Sequence, residues 1–116
     1  MEWGTVELEP EVEAWLDGLD DKRWAQAWFH LDLLEERGVH LGEPYTRQLD
    51  GKLRELRFYC GGRRVRITYW IAPHRPIVIL TVFPKTRMRE FAEIERARQA
   101  LKRCQAEQPT AEEEVR

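Results

Sequence analysis

Apolar positions along the chain recur with two different periods. Residues Trp3 to Leu8 alternate, with Trp3, Thr5 and Glu7 against Gly4, Val6 and Leu8, which predicts a short strand. Pro10 stands where a first helical turn tolerates it, and Val12, Trp15, Leu16 and Leu19 follow at helical spacing, predicting a helix of two to three turns. Asp20 and Asp21 can cap a second helix whose stripe is Trp24, Ala27, Trp28, Leu31 and Leu34, ending near Arg37 with Gly38 as the stop. The two helices read as a hairpin with Trp15, Trp24 and Trp28 in its core, because large aromatic side chains favour burial. Residues 38–52 hold Gly38, Gly42, Pro44 and the Asp50-Gly51 turn signal and read as a loop.

The period then changes to two. Leu53 to Tyr59 sets Leu53, Glu55, Arg57 and Tyr59 against Arg54, Leu56 and Phe58, and Val65 to Ile71 sets Val65, Ile67, Tyr69 and Ile71 against Arg66, Thr68 and Trp70. Gly61-Gly62 and Pro73-His74-Arg75-Pro76 are the turns between these strands and the next. Ile77 to Phe83 is apolar on both faces and belongs inside a sheet. After Pro84 a last helix places Met88, Phe91, Ile94 or Glu95, Arg98 and Leu101 along one side. The pattern predicts an α+β fold: an N-terminal strand, a helical hairpin, a three-stranded antiparallel sheet and a C-terminal helix. One domain over residues 1–104 is expected, followed by an acidic tail over 105–116 with almost no apolar residues, which reads as disordered.

Composition narrows the function classes. Five Trp, three Tyr and four Phe in 116 residues give a chain with 34% charged residues enough large apolar side chains for a core. No run approaches the roughly 20 apolar residues of a membrane span, and the acidic N-terminus is unlike a signal peptide, so a cytoplasmic protein is expected. Cys60 and Cys104 lack the partner spacing of a zinc site or a disulfide framework and are expected to be reduced and structural. The net charge of −2 conceals a strong asymmetry: residues 1–51 carry four Lys/Arg against thirteen Asp/Glu, whereas residues 52–103 carry fourteen against four. Clustered cations raise the local potential and suit a polyanion, unless the two halves neutralise each other in the fold.

Strand alternation puts Arg57, Arg64 and Arg66 on one sheet face, with Lys85 and Arg87 arriving at the end of the apolar strand to rim it. A row of guanidinium groups is unfavourable without an anion, and guanidinium pairs phosphate oxygens bidentately, so phosphate or RNA backbone is the expected ligand. His30, His40 and His74 have no spacing that makes a metal site or a Ser-His-Asp set, and Gly61-Gly62 does not open a helix as a phosphate loop would. Neither a metal nor a cofactor is expected, and nucleotide hydrolysis is disfavoured.

Six elements in order carry a family resemblance: Arg54-Glu55-Leu56-Arg57, Gly61-Gly62, Arg66-Ile67-Thr68-Tyr69, the apolar run Ile77 to Phe83, Lys85 after it, and Glu93-Ile94 with Ala97. Together they resemble the HigB-like branch of the RelE/ParE toxin superfamily. Thr86 stands where that pattern has a second Lys, and the Pro before its last helix is missing here. The resemblance implies a RelE-like fold and a toxin of a type II toxin-antitoxin system. Its expected activity is ribosome-dependent, metal-independent cleavage of messenger RNA, which inhibits translation. Arg57, Arg66 and Lys85 would be its catalytic residues, Arg64, Arg87 and Tyr59 would bind RNA, and a helix-turn-helix antitoxin of the HigA-like kind would be its partner. Two alternatives share the fold: a ParE-like poison of DNA gyrase, and a degenerate, non-toxic regulatory subunit.

Overall fold

The computed structural model describes residues 3–74, 76–85 and 90–107. Strand β1 (Thr5–Leu8) leads into α1 (Pro10–Asp17) and α2 (Asp21–Arg37), then a short 3-10 turn (Gly38–His40), strands β2 (Thr46–Asp50), β3 (Leu53–Cys60), β4 (Arg63–Ile71) and β5 (Pro76–Pro84), and helix α3 (Glu90–Glu107). The expected α+β architecture is present, but the sheet has five strands in the order β1-β5-β4-β3-β2 rather than three. β1 joins parallel to β5 and the other neighbours are antiparallel.

The extra strand corrects the reading of residues 38–52 as a loop. Thr46–Asp50 is mostly polar and exposed, so it has no alternation to announce it, and it is ordered by pairing with β3 across the Gly51-Lys52 turn. Polar edge strands of this kind resist pairing with other chains. The opposite margin of the sheet is protected by side chains. Glu35 Oε2 accepts from Val6 N–H at 2.9 Å, and beyond the end of β1 Glu11 accepts from Val82 N–H at 3.1 Å while Arg96 donates to the Val82 carbonyl at 3.3 Å.

Both sheet faces are covered. Val12, Leu16, Ala27, Leu31 and Leu34 of α1 and α2 pack on Leu56, Phe58, Val65, Ile67, Tyr69, Ile77 and Ile79. Helix α2 begins and ends as the sequence predicts, with the Asp20 carboxylate accepting from Arg23 N–H at 2.9 Å and Gly38 closing it at φ 50°. The tryptophans correct another expectation. Trp24 is 48% exposed and Trp15 and Trp28 are only half-buried, because smaller aliphatic residues fill the contact with the sheet and the bulky rings lie at its margins. On the other face Leu53, Trp70, Val78 and Leu80 meet Ala97, Ala100 and Cys104 of α3, with Ile94 and Leu101 alongside. Phe91, expected on that stripe, is exposed instead, since the small residues bring the helix close to the sheet and turn Phe91 outward. Met88 lies outside the described residues.

Candidate functional site

A two-residue turn sets the geometry of the site. Gly61 and Gly62 have φ of 61° and 78°, the positive values that a tight hairpin of matching twist requires at both positions, and Cys60 pairs with Arg63 across them. This register puts Tyr59 opposite Arg64 and Arg57 opposite Arg66, while Phe83 of β5 pairs with Arg66 from the other side. Lys85 N–H donates to the Arg64 carbonyl at 2.9 Å, so Lys85 continues the row that contains Arg64 and Tyr59.

Along this face the chemistry changes in steps. The apolar floor under α3 gives way to Thr68, Thr81 and Glu55, with the two threonine hydroxyls 2.6 Å apart. Next comes Arg66, which is only 4% exposed although it carries a full charge. A buried charge is tolerated only when it is paired. Glu55, itself buried, accepts from Arg66 Nη1 at 2.5 Å, and Glu90 at the start of α3 approaches the same nitrogen at 3.4 Å. Arg47 Nε lies 3.7 Å from Glu55 on the other side. Arg66 is therefore a fixed, compensated guanidinium rather than a free cation, and a row of three bare arginines is not what the strands present.

Arg57 and Arg64 are different. Among the described residues neither has an ion-pair partner; Arg64 Nε donates to the Tyr59 hydroxyl at 3.0 Å and lies 5.7 Å from the centre of that ring. Tyr59 is 59% exposed, which is unusual for so large a ring. A groove of about 460 Å³ runs beside these residues, lined by Arg57, Tyr59, Arg64 and Arg66 together with His30, Pro44, Tyr45, Phe58 and Val65. The fold thus brings four of the six expected site residues to one groove. Lys85 stands beside Arg64 but does not line it, and Arg87 and Thr86 lie outside the described residues.

The sequence pattern assigned Glu55 no role beyond its strand, weighed His30 only as a metal or triad residue, and did not single out Tyr45. His30 sits at the edge of the apolar stripe of α2 and Tyr45 follows Pro44 in a connecting segment, so neither carries a local signal. Tertiary packing puts both beside β3. Two other cations of the basic segment are held by carboxylates: Arg96 by Glu11 and Glu93, and Arg98 by Asp50 and Glu95. Arg54 donates to the hydroxyls of Tyr69 and Thr46. The acidic half neutralises part of the basic half, and among the described residues Arg57, Arg63 and Arg64 around the hairpin have no ion-pair partner.

The described residues contain no cluster of three or more His, Cys, Asp or Glu side chains able to hold a metal ion, and no described helix is long and apolar enough to cross a membrane. Cys60 and Cys104 are free thiols, both buried. Burial and the hydrogen bond to Glu9 push the Cys104 thiol up to about 12, and burial also raises that of Cys60. These are unreactive thiols, far from nucleophiles in character.

Residues 14–104 match the protein family described as Phage derived protein Gp49-like (DUF891). No curated protein matches the chain by sequence. Among solved structures the chain is similar to the E. coli toxin RelE, a double arginine-to-alanine variant in the free state. The superposition has a TM-score of 0.59 at 16% identity and covers 89% of this chain and 98% of that one.

Proposed function

Since the chain belongs to the phage-derived Gp49-like family and folds as RelE does, we propose that it is a toxin of the RelE type, an endoribonuclease that cuts messenger RNA on the ribosome and so inhibits translation. The observation that carries this reading is the pair of unpaired guanidinium groups, Arg57 and Arg64, set with an exposed Tyr59 along a groove in which Arg66 is held rigidly by Glu55. In the reaction the 2'-hydroxyl oxygen attacks the adjacent phosphorus as the bond from phosphorus to the 5'-oxygen breaks. One proton leaves the attacking hydroxyl and one reaches the departing 5'-oxygen, giving a 2',3'-cyclic phosphate and a 5'-hydroxyl. Charge accumulates on the phosphoryl oxygens, and fixed cationic donors stabilise it without having to reorganise.

In this proposal Arg57 and Arg66 hold the scissile phosphate and Lys85 stabilises developing charge or delivers a proton at the end of the same row. Arg64, Arg87 and Tyr59 bind the flanking RNA, and no metal takes part. The partner is a helix-turn-helix antitoxin of the HigA-like kind that covers the exposed guanidinium groups, and the site of action is the cytoplasm. Arg57→Ala is expected to lower cleavage of a transcript on translating ribosomes at least about 10-fold, equivalent to about 1.4 kcal/mol of transition-state stabilisation, while the variant stays folded. Sequencing the 5' ends of transcripts after induction is the measurement. Intact transcripts accompanied by gyrase-linked DNA breaks would replace this reading with the gyrase-directed one, and growth without any effect would leave a non-toxic regulatory subunit.

A further inference from the structure

The groove has a second wall, and its chemistry is aromatic rather than cationic. His30 of α2 lies parallel to Phe58, with ring centres 4.5 Å apart and an interplanar angle of 12°, and the Tyr45 ring is 6.4 Å from His30. His30 Nδ1 is 2.8 Å from the Gln26 carbonyl, which can only accept, so Nδ1 donates there and the hydrogen bond fixes the ring's orientation.

Between these walls the edge of β3 is open. β2 pairs with β3 only as far as Thr46 opposite Leu56, and the next outward N–H, that of Arg57, goes to the Tyr45 carbonyl at 2.8 Å. Outward and inward residues alternate in an antiparallel strand, so Tyr59 also turns its N–H and carbonyl away from β4, where the described residues offer no strand. Just beyond, Gly61 N–H is satisfied by Gln26 Oε1 at 2.8 Å. Among the described residues one backbone donor, the Tyr59 N–H, and two acceptors, the Tyr59 and Arg57 carbonyls, therefore stand open between aromatic rings, with Arg57 and Arg64 on either side along the row.

We propose that this groove seats one base of single-stranded RNA, stacked against His30 and Tyr45, with its polar edge on the Tyr59 backbone and its flanking phosphates on Arg57 and Arg64. The inference rests on the RNA-directed reading above and adds what that reading lacks, a place where base identity is sensed. The alternative occupant of an open strand edge is an added peptide strand, which needs several consecutive open residues for its hydrogen bonds. Here only one backbone N–H, that of Tyr59, is open among the described residues, bounded by the Tyr45 contact and the glycine turn. Rings interleaved with unpaired guanidinium groups are the surface that single-stranded nucleic acid uses, bases on the rings and phosphates on the cations. A volume of about 460 Å³ is of the size that holds one small molecule such as a nucleoside.

The test is equilibrium binding of fluorescein-labelled RNA pentamers of A, C or U to the full chain, read by anisotropy over a range of salt, beside the transcript-cleavage map. The wild type is expected to prefer one pentamer, and His30→Ala and Tyr45→Ala to lose at least about five-fold in affinity for it and to level the three, with an unchanged salt slope. Arg57→Ala weakens all three alike and lowers the salt slope by about one. His30→Phe, which keeps the stack on Phe58 and a ring for the base to lie on, retains both affinity and preference, and it guards against an alanine variant that fails to fold. Equal binding of the three pentamers, untouched by His30→Ala and Tyr45→Ala, overturns the base seat even if transcripts are still cut. Loss of a co-expressed protein partner from those variants with RNA affinity intact also overturns it, in favour of a protein-docking groove. Absence of both RNA binding and transcript cleavage in the wild type rejects the RNA-directed reading itself, and the base seat with it.

Discussion

Arg66 acquires its character from Glu55. A guanidinium on a solvent-facing strand swings among rotamers, whereas one that is almost inaccessible and bonded to a buried carboxylate has a fixed direction. Glu55 is in this sense a positioning residue for the groove, and removing it leaves an uncompensated buried charge. Glu55→Ala is expected to cost about 3–5 kcal/mol in urea denaturation, and replacing Glu55 and Arg66 together by leucine and methionine to recover most of that stability but no activity. Recovery of activity in the double variant would remove Arg66 from the site. Cys104 offers a pH-dependent prediction. Its Sγ donates to Glu9 Oε1 at 3.1 Å, and its pKa rises from the ordinary 9.0 to about 12. The unfolded chain then loses this proton first, so the contribution is complete below about pH 9 and is lost as pH rises through 9 towards 12. Alkylation at pH 8 should be slow in the folded protein and fast in urea, and denaturation midpoints should fall above pH 9 less in Cys104→Ala than in the wild type.

At the level of elements, glycines and caps fix where strands and helices stop, and this decides which side chains meet. The Gly61-Gly62 turn puts Tyr59 across from Arg64; a hairpin one residue longer would slip the register and send the arginines to the opposite face. Gly38 ends α2 under a different constraint. A Cβ there would lie 2.1 Å from the Trp3 ring, on a backbone at φ 50°. A Cβ at Gly62, at φ 78°, would meet nothing within 4 Å. Both alanine substitutions carry the left-handed penalty of about 1–2 kcal/mol, and only Gly38→Ala adds the clash with Trp3. Thermal denaturation should therefore rank Gly38→Ala clearly below Gly62→Ala, and equal losses would show that Trp3 moves aside freely.

Across the whole molecule the charge asymmetry is partly spent on the fold itself. Glu11 and Asp50 of the acidic half hold Arg96 and Arg98 of the basic half, and Arg96 also closes the margin of β5. At the end of the sheet that α3 leaves open, Arg57, Arg63 and Arg64 have no ion-pair partner among the described residues and Lys85 joins their row. Arg96→Ala and Arg98→Ala should accordingly leave transcript cleavage within about three-fold of the wild type, since exposed ion pairs contribute little and neither residue faces the groove. A loss as large as that of Arg57→Ala would mean that the polyanion spreads over α3 as well.

The sequence by itself determined the parts that depend on neighbours in the chain. The alternation over β3 and β4 and the glycine pair between them place Arg57, Tyr59, Arg64 and Arg66 on one face. Pro10, Asp20 and Gly38 set the starts and stop of the helical hairpin. Only the tertiary structure decided the rest. β2 has no apolar pattern of its own and exists because β3 offers it hydrogen bonds. Phe91 faces outward because Ala97, Ala100 and Cys104 make the close contact with the sheet, and Trp24 stays outside because Leu31 and Leu34 already occupy the contact. The character of the site follows the same division. Which arginines lie together is a matter of strand period, but which are free depends on where Glu55 and Glu90 reach. That His30 and Tyr45 stand beside the open edge of β3 depends on how a helix and a connecting segment dock against a strand distant in sequence, and local periodicity carries no record of that contact.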